Sequence, residues 1–280
     1  MDGGGVAVYF FQYMRRLLVV GAGYLGGEVM AVFRECGWEV VGTRLGGGDG
    51  FLSCDVGDVG AVAGLPDADV VVHCAASGRG GEEAYRRVYL DGCRNLIGRF
   101  GGARLVFTSS SSVYGQVDGE VVTEESATVP DRETGRILRE AEDAVVGAGG
   151  VVLRLAGIYG PGRSVVLRKF LSGEAVMEED GRRFMNQIHR DDAARAIYHL
   201  AMKEDFPKGE IFNVADSVVL SQREVYEGLG KIFRKPMPPS GARDLDRKRG
   251  WTHKRVCNAK LRGTGWVPMY PSFLGAVEGL

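Results

Sequence analysis

The regular part of the chain opens with an unbroken apolar run, Leu17-Leu18-Val19-Val20, that stops at a cluster of glycines. Similar short runs recur and predict strands at residues 15–20, 38–43, 51–53, 69–74, 103–108 and 150–155. Segments 24–36, 58–64, 81–100 and 132–148 between them read as helices. In the third of these, Tyr85, Val88, Tyr89, Cys93, Leu96, Ile97 and Phe100 fall on one stripe, as a core-facing helix requires. Alternation of strand and helix implies a doubly wound parallel sheet, with ligands at the carboxyl ends of its strands. After Gly160-Pro161-Gly162 the rhythm changes. Helices are expected near 163–172, 190–203 and 221–234, strands near 183–188 and 211–214, and a basic loop from Lys235 to Arg255.

The glycine cluster carries the first chemistry. Gly21, Gly23 and Gly26 stand in G-x-G-x-x-G spacing between a buried strand and a helix. Gly21 allows the tight turn, Gly23 a close approach of backbone to a pyrophosphate, and Gly26 close packing of helix on strand. Tyr24 and Leu25 open the helix, whose free N–H groups and dipole attract phosphate. A glycine turn at the surface is the plain alternative, but strand and helix stand where the motif needs them.

Composition narrows the class without naming it. A chain of 280 residues with 45% apolar and 25% charged residues is ordinary for a globular protein. Net charge of −1 gives no general attraction to nucleic acid or to an anionic membrane, and no apolar run is long enough to span a bilayer. The five scattered cysteines suit a reducing cytoplasm and read as small buried apolar residues; neither they nor the four histidines have metal-ligand spacing. Residues 1–13 read as an extension ahead of a start at Met14. A nucleotide-binding unit would then cover 14–160, and residues 161–280 would form mainly a smaller lobe, some of it returning to the sheet.

Several further motifs occur in order: His73-Cys74-Ala75-Ala76, Thr108-Ser109-Ser110-Ser111-Ser112-Val113-Tyr114-Gly115, Leu153 to Gly162, and Ile188-His189-Arg190-Asp191-Asp192. Together with the glycine turn they resemble the extended short-chain dehydrogenase/reductases, the NAD(P)-dependent epimerase/dehydratase group, over roughly residues 14–270. The resemblance implies a Rossmann sheet with a smaller carboxyl-terminal substrate lobe and a homodimer formed through helices 81–100 and 132–148. It implies adenine contacts from Asp55 and Val56, a close passage of the chain at Ala75 and Ala76, and nicotinamide neighbours in Leu155, Gly157 and Ile158. It also places Ser110 as the residue that polarises a reacting oxygen, and Arg163, Asn186 and His189 around a substrate. His189 has a second reading, as the residue tying its strand to the helix that follows.

Three departures matter. The glycine spacing is that of the atypical branch, with Val20 where the extended family has glycine. Thr134 and Leu138 stand where the family's Tyr-x-x-x-Lys belongs. Threonine cannot ionise usefully near neutral pH, whereas a phenol beside an ammonium can, so the usual general base is missing. Tyr89 replaces the family's active-site asparagine and either packs on the sheet or supplies the lost proton group, with Tyr114 as a second candidate relay.

The second strand ends at Arg44 with no acid to accept a ribose hydroxyl, and an arginine fork there suits a 2′-phosphate. NADP is therefore expected over NAD. The sequence leads to an NADP(H)-linked oxidoreductase or epimerase/dehydratase acting on a small carbonyl, hydroxyl or nucleotide-sugar-like substrate. A catalytically inactive NADP(H) sensor is the alternative.

Overall fold

The computed structural model describes residues 15–78, 80–244 and 251–280. The extension and the start at Met14 fall outside these residues. The first half runs β1 (Arg16–Val20), α1 (Tyr24–Glu35), β2 (Glu39–Arg44), β3 (Leu52–Ser53), α2 (Val59–Ala63), β4 (Val70–His73) and α3 (Glu82–Tyr85). A π-helical stretch, Arg86–Asp91, leads into α4 (Gly92–Arg99), followed by β5 (Arg104–Ser110), β6 (Glu120–Val122), α5 (Glu133–Gly147) and β7 (Val151–Leu155). The second half runs β8 (Gly157–Tyr159), α6 (Val165–Leu171), β9 (Met177–Glu178), β10 (Phe184–Met185), β11 (Gln187–His189), α7 (Arg190–Met202) and β12 (Ile211–Val214). It ends with β13 (Leu220–Ser221), α8 (Gln222–Phe233), β14 (Ser240–Gly241), β15 (Lys254–Val256), α9 (Ala259–Gly263) and α10 (Phe273–Ala276).

Seven strands form one parallel sheet in the order β12-β7-β5-β4-β1-β2-β3. Leu17, Leu18 and Val19 are fully buried, which is why β1 reads as a continuous apolar run rather than an alternating one. The strand order reverses between β1 and β4, and such a switch opens a crevice at the carboxyl ends. A smaller core in the carboxyl-terminal half gathers Tyr159, Phe170, Tyr226, Leu229 and Phe273. The described residues include no helix long and apolar enough to cross a membrane.

Two expectations for the second half need correction. Segment 183–188 is two strands: β10 pairs antiparallel with β13, and β11 pairs parallel with β8. Asn186 breaks the run between them because its side chain is bonded to the backbone of Lys254 and Val256. The expected loop 235–255 contains two short strands, β14 on β9 and β15 on β6, while residues 245–250 lie outside the described part. These pairings are made with partners far away in sequence, so no local apolar pattern announces them.

Candidate functional site

A cleft of about 650 Å³ lies at the carboxyl ends of β1 and β4. Its floor is the glycine turn. Gly21 has φ +92°, and a Cβ on it would come within 2.4 Å of the Ala75 backbone. A Cβ on Gly26 would lie 2.2 Å from the Gly21 carbonyl oxygen and 3.1 Å from Val19. Gly26 therefore serves helix–strand packing and lies beneath the cleft surface. A Cβ on Gly23, in contrast, would meet nothing within 4 Å, so the space beside it is open to a ligand. Gly23 caps α1 with no side-chain bond, and the first turn carries no acid, so the leading amides and the positive helix end face the cleft.

The wall at the β2 end is basic. Arg44 donates through Nε to the Ala22 carbonyl at 3.1 Å and lies 3.8 Å from the Phe51 ring centroid. Asp55 and Val56 line the same region. Asp55 accepts two bonds from Arg87, at 3.1 and 2.8 Å, and one from the Gly57 amide at 3.0 Å. The Arg87 bonds hold the Asp55 carboxyl below the usual carboxylate range. Arg87 lines the cleft as well, and sequence reasoning missed it because only the fold brings residue 87 to residue 55.

At the β4 end, Ala75, Ala76 and Tyr89 line the cleft, with Ser110 at the end of β5 and Leu155 and Ile158 beyond. Ser110 Oγ accepts the Ser112 amide at 3.2 Å. Tyr89 is buried, 5.0 Å ring to ring from Tyr85, and both tyrosines face the cleft from the π-helical stretch and the end of α3. His73 Nε2 lies 2.9 Å from the carbonyl oxygen of Val88, within that stretch. Burial drives the His73 pKa down to about 4, so the ring is neutral and donates to Val88 through Nε2–H. His73 was visible in the sequence only as part of a motif; its role in aiming the Tyr85–Tyr89 turn was not.

Leu138, which stands where the family resemblance puts its lysine, also lines the cleft and is 3% exposed. Thr134 is not among the lining residues.

The structure separates four expected site residues from the cleft. Tyr114 is fully buried elsewhere: its hydroxyl donates to Asn213 at 2.9 Å and accepts from Arg154 at 2.7 Å. Arg154 also joins buried Glu142 at 2.8 Å, and Ser109 donates to Glu142 at 2.6 Å. Both of its phenol contacts being protein groups, Tyr114 is a structural residue and not a relay. Asn186 is committed to β15. His189 caps α7 by accepting the Asp191 amide and packs edge-on against Tyr159, the tying role that its second reading gave it. Gly157 is exposed outside the cleft, its N–H bonded to the Asn186 carbonyl at 3.1 Å. Asn258 occupies the capping position of α9 but turns its amide to the Ala215 carbonyl at 2.8 Å. No group of histidine, cysteine and carboxylate side chains fit for a metal occurs among the described residues.

A seven-stranded parallel sheet with this crevice is the frame of a dinucleotide-binding α/β protein, and comparison with known proteins places it more closely. The model of the NAD dependent epimerase/dehydratase family matches residues 17–215, and the chain belongs to that family. It is 30% identical over 271 residues to protein YeeZ of Escherichia coli K12, covering 88% of this chain and 94% of that one. A candidate NAD-dependent epimerase/dehydratase from Methylobacillus flagellatus is 26% identical, covers 95% of this chain and 97% of its own, and superposes with a TM-score of 0.78. The dTDP-glucose 4,6-dehydratase of Bacillus anthracis, solved in complex with NAD, shares the fold at 18% identity and TM-score 0.77, over 95% and 96% of the two chains. The cleft fits such a dinucleotide on its own geometry: open space at Gly23, uncapped amides at α1, and a stacked guanidinium at Arg44.

Proposed function

We propose that this protein is an NADP(H)-dependent oxidoreductase or epimerase/dehydratase for a small carbonyl, hydroxyl or nucleotide-sugar-like substrate, with Tyr89 as its proton donor. The observation that carries this reading is the meeting of Gly23, Ser110 and Tyr89 in one cleft, with Leu138 in place of a cation. Gly21, Gly23, Tyr24 and Leu25 would hold the diphosphate at the head of α1. Asp55 and Val56 would border the adenine, and Arg44 would take the 2′-phosphate. Ala75 and Ala76 leave room for the ribose, and Leu155 and Ile158 form an apolar wall for the nicotinamide. When bound, the coenzyme supplies hydride transfer. The chain's own task is to position the substrate oxygen and move one proton. Ser110 would hold that oxygen by a hydrogen bond, and the phenol of Tyr89 would give or take the proton.

The test is turnover with NADPH and a panel of aldehydes, ketones and sugar nucleotides. Turnover is expected for some member of the panel, with Tyr89→Phe and Ser110→Ala each lowering kcat about a hundredfold or more, the scale of one general acid–base group. Coenzyme binding with no turnover on a broad panel would reject the enzyme in favour of a coenzyme sensor.

A further inference from the structure

Tyr24, the first residue of α1, has two guanidinium groups near its ring: Arg163 at 5.0 Å and Arg190 at 5.1 Å from the ring centroid. Their electrostatic situations differ. Arg190 is neutralised by Glu28 at 2.9 Å and Asp191 at 2.8 Å. Arg163 is exposed and lines the cleft, and among the described residues no carboxylate or carbonyl bonds its guanidinium. The turn that carries Arg163 is clamped onto α1. Tyr24 donates its hydroxyl to the Pro161 carbonyl at 3.1 Å, and Gly160 and Arg163 exchange backbone bonds at 3.0 and 2.9 Å. A Cβ on Gly160 would come within 2.8 Å of the Tyr24 hydroxyl, so the close approach needs a glycine there. An uncommitted cation from the second half of the chain thus stands against the first residue of α1 and lines the same cleft as Gly23.

We infer that Arg163 binds the coenzyme diphosphate, not the substrate. It closes over the phosphates from the lobe side, while the amides of α1 take them from the sheet side. A guanidinium fork matches two phosphate oxygens, and the Tyr24 ring beneath it fixes its orientation by cation–π contact. The cleft then meets the coenzyme with two guanidinium groups at separate points, Arg44 at the adenosine end and Arg163 at the diphosphate. The inference rests on the NADP(H) reading above.

Titration calorimetry on the wild type, Arg163→Met and Arg163→Lys, with NADPH and with adenosine 2′-monophosphate, separates the outcomes. The second probe lacks a diphosphate. Arg163→Met is expected to weaken NADPH about tenfold or more, the scale of one charge-assisted contact, and to leave the second probe unchanged. Arg163→Lys should recover part of the loss. Unaltered NADPH affinity in Arg163→Met, beside normal wild-type binding, would overturn the inference and return Arg163 to the substrate. Equal losses for both probes would also overturn it, because the effect would not follow the diphosphate. Failure of the wild type to bind either probe would bring down the NADP(H) reading itself, a result distinct from failure at Arg163 alone.

Discussion

On the NADP(H) reading proposed above, Arg44 is the side chain that would set coenzyme choice. Its guanidinium is stacked on Phe51 and anchored through Nε to Ala22, so the remaining N–H donors are preorganised at the cleft rim. Arg44→Ala should weaken NADP by about tenfold or more and leave NAD nearly unchanged; calorimetry with both coenzymes checks this. Lys254 presents a different single-residue property. It is 3% exposed, donates to the Tyr114 carbonyl, and burial lowers its pKa from 10.5 to about 7. Between those two values the unfolded chain binds a proton that the folded chain does not. The contribution of Lys254 to stability therefore rises with pH across that window and is lost as pH falls back through it. The stability gain from Lys254→Met relative to the wild type should shrink from pH 7 to pH 10, read from thermal melts at each pH.

At the scale of elements, the glycine turn and α1 divide their labour between fold and ligand. Gly26→Ala forces a methyl into the Gly21 carbonyl and should lower Tm by several degrees, as an overpacked core does. Gly23→Ala places its methyl in open space, at φ −88°, and should keep Tm while abolishing coenzyme binding. Melting curves alongside NADPH titrations distinguish the two. This turn was legible in the sequence because its requirements are local: strand, glycine spacing and helix are contiguous. The π-helical stretch Arg86–Asp91 was not legible. The stripe through Tyr85, Tyr89 and Cys93 fits an ordinary helix equally well, and the stretch is tied to another element by the bond between His73 and the Val88 carbonyl. For the same reason the sequence could not separate Tyr114 from Tyr89 as candidate relays: Arg154 and Asn213 claim the Tyr114 hydroxyl from strands β7 and β12.

Across the whole molecule, the buried network of Ser109, Glu142, Arg154 and Tyr114 joins β5, α5 and β7 behind the cleft. Glu142→Gln removes the carboxylate shared by Arg154 and Arg139, leaving the buried Arg154 guanidinium, 2% exposed, without its counter-charge. The expected cost is about 3–5 kcal/mol in chemical denaturation. The main sheet and its helices were readable from periodicity to within a residue or two, since their apolar runs are long and bury against a single core. The carboxyl-terminal half was readable in α6, α7 and α8 and in the strand β12, which completes the main sheet. Its two-residue strands are stabilised by partners such as Glu178 against Gly241, too distant for any window of sequence to register.

One feature of the sheet bears on how the chain is made. The edge strand β12 and the β15–β6 pair are contributed by residues 211–214 and 254–256, yet they complete structures begun by residues 151–155 and 120–122. A ribosome synthesising this protein must expose an unfinished edge at Leu153 until some sixty residues later have emerged, as the distance from Leu153 to Phe212 in the chain requires. A nascent amino-terminal half is thus a natural client for chaperones, and its maturation waits on translation of the far end.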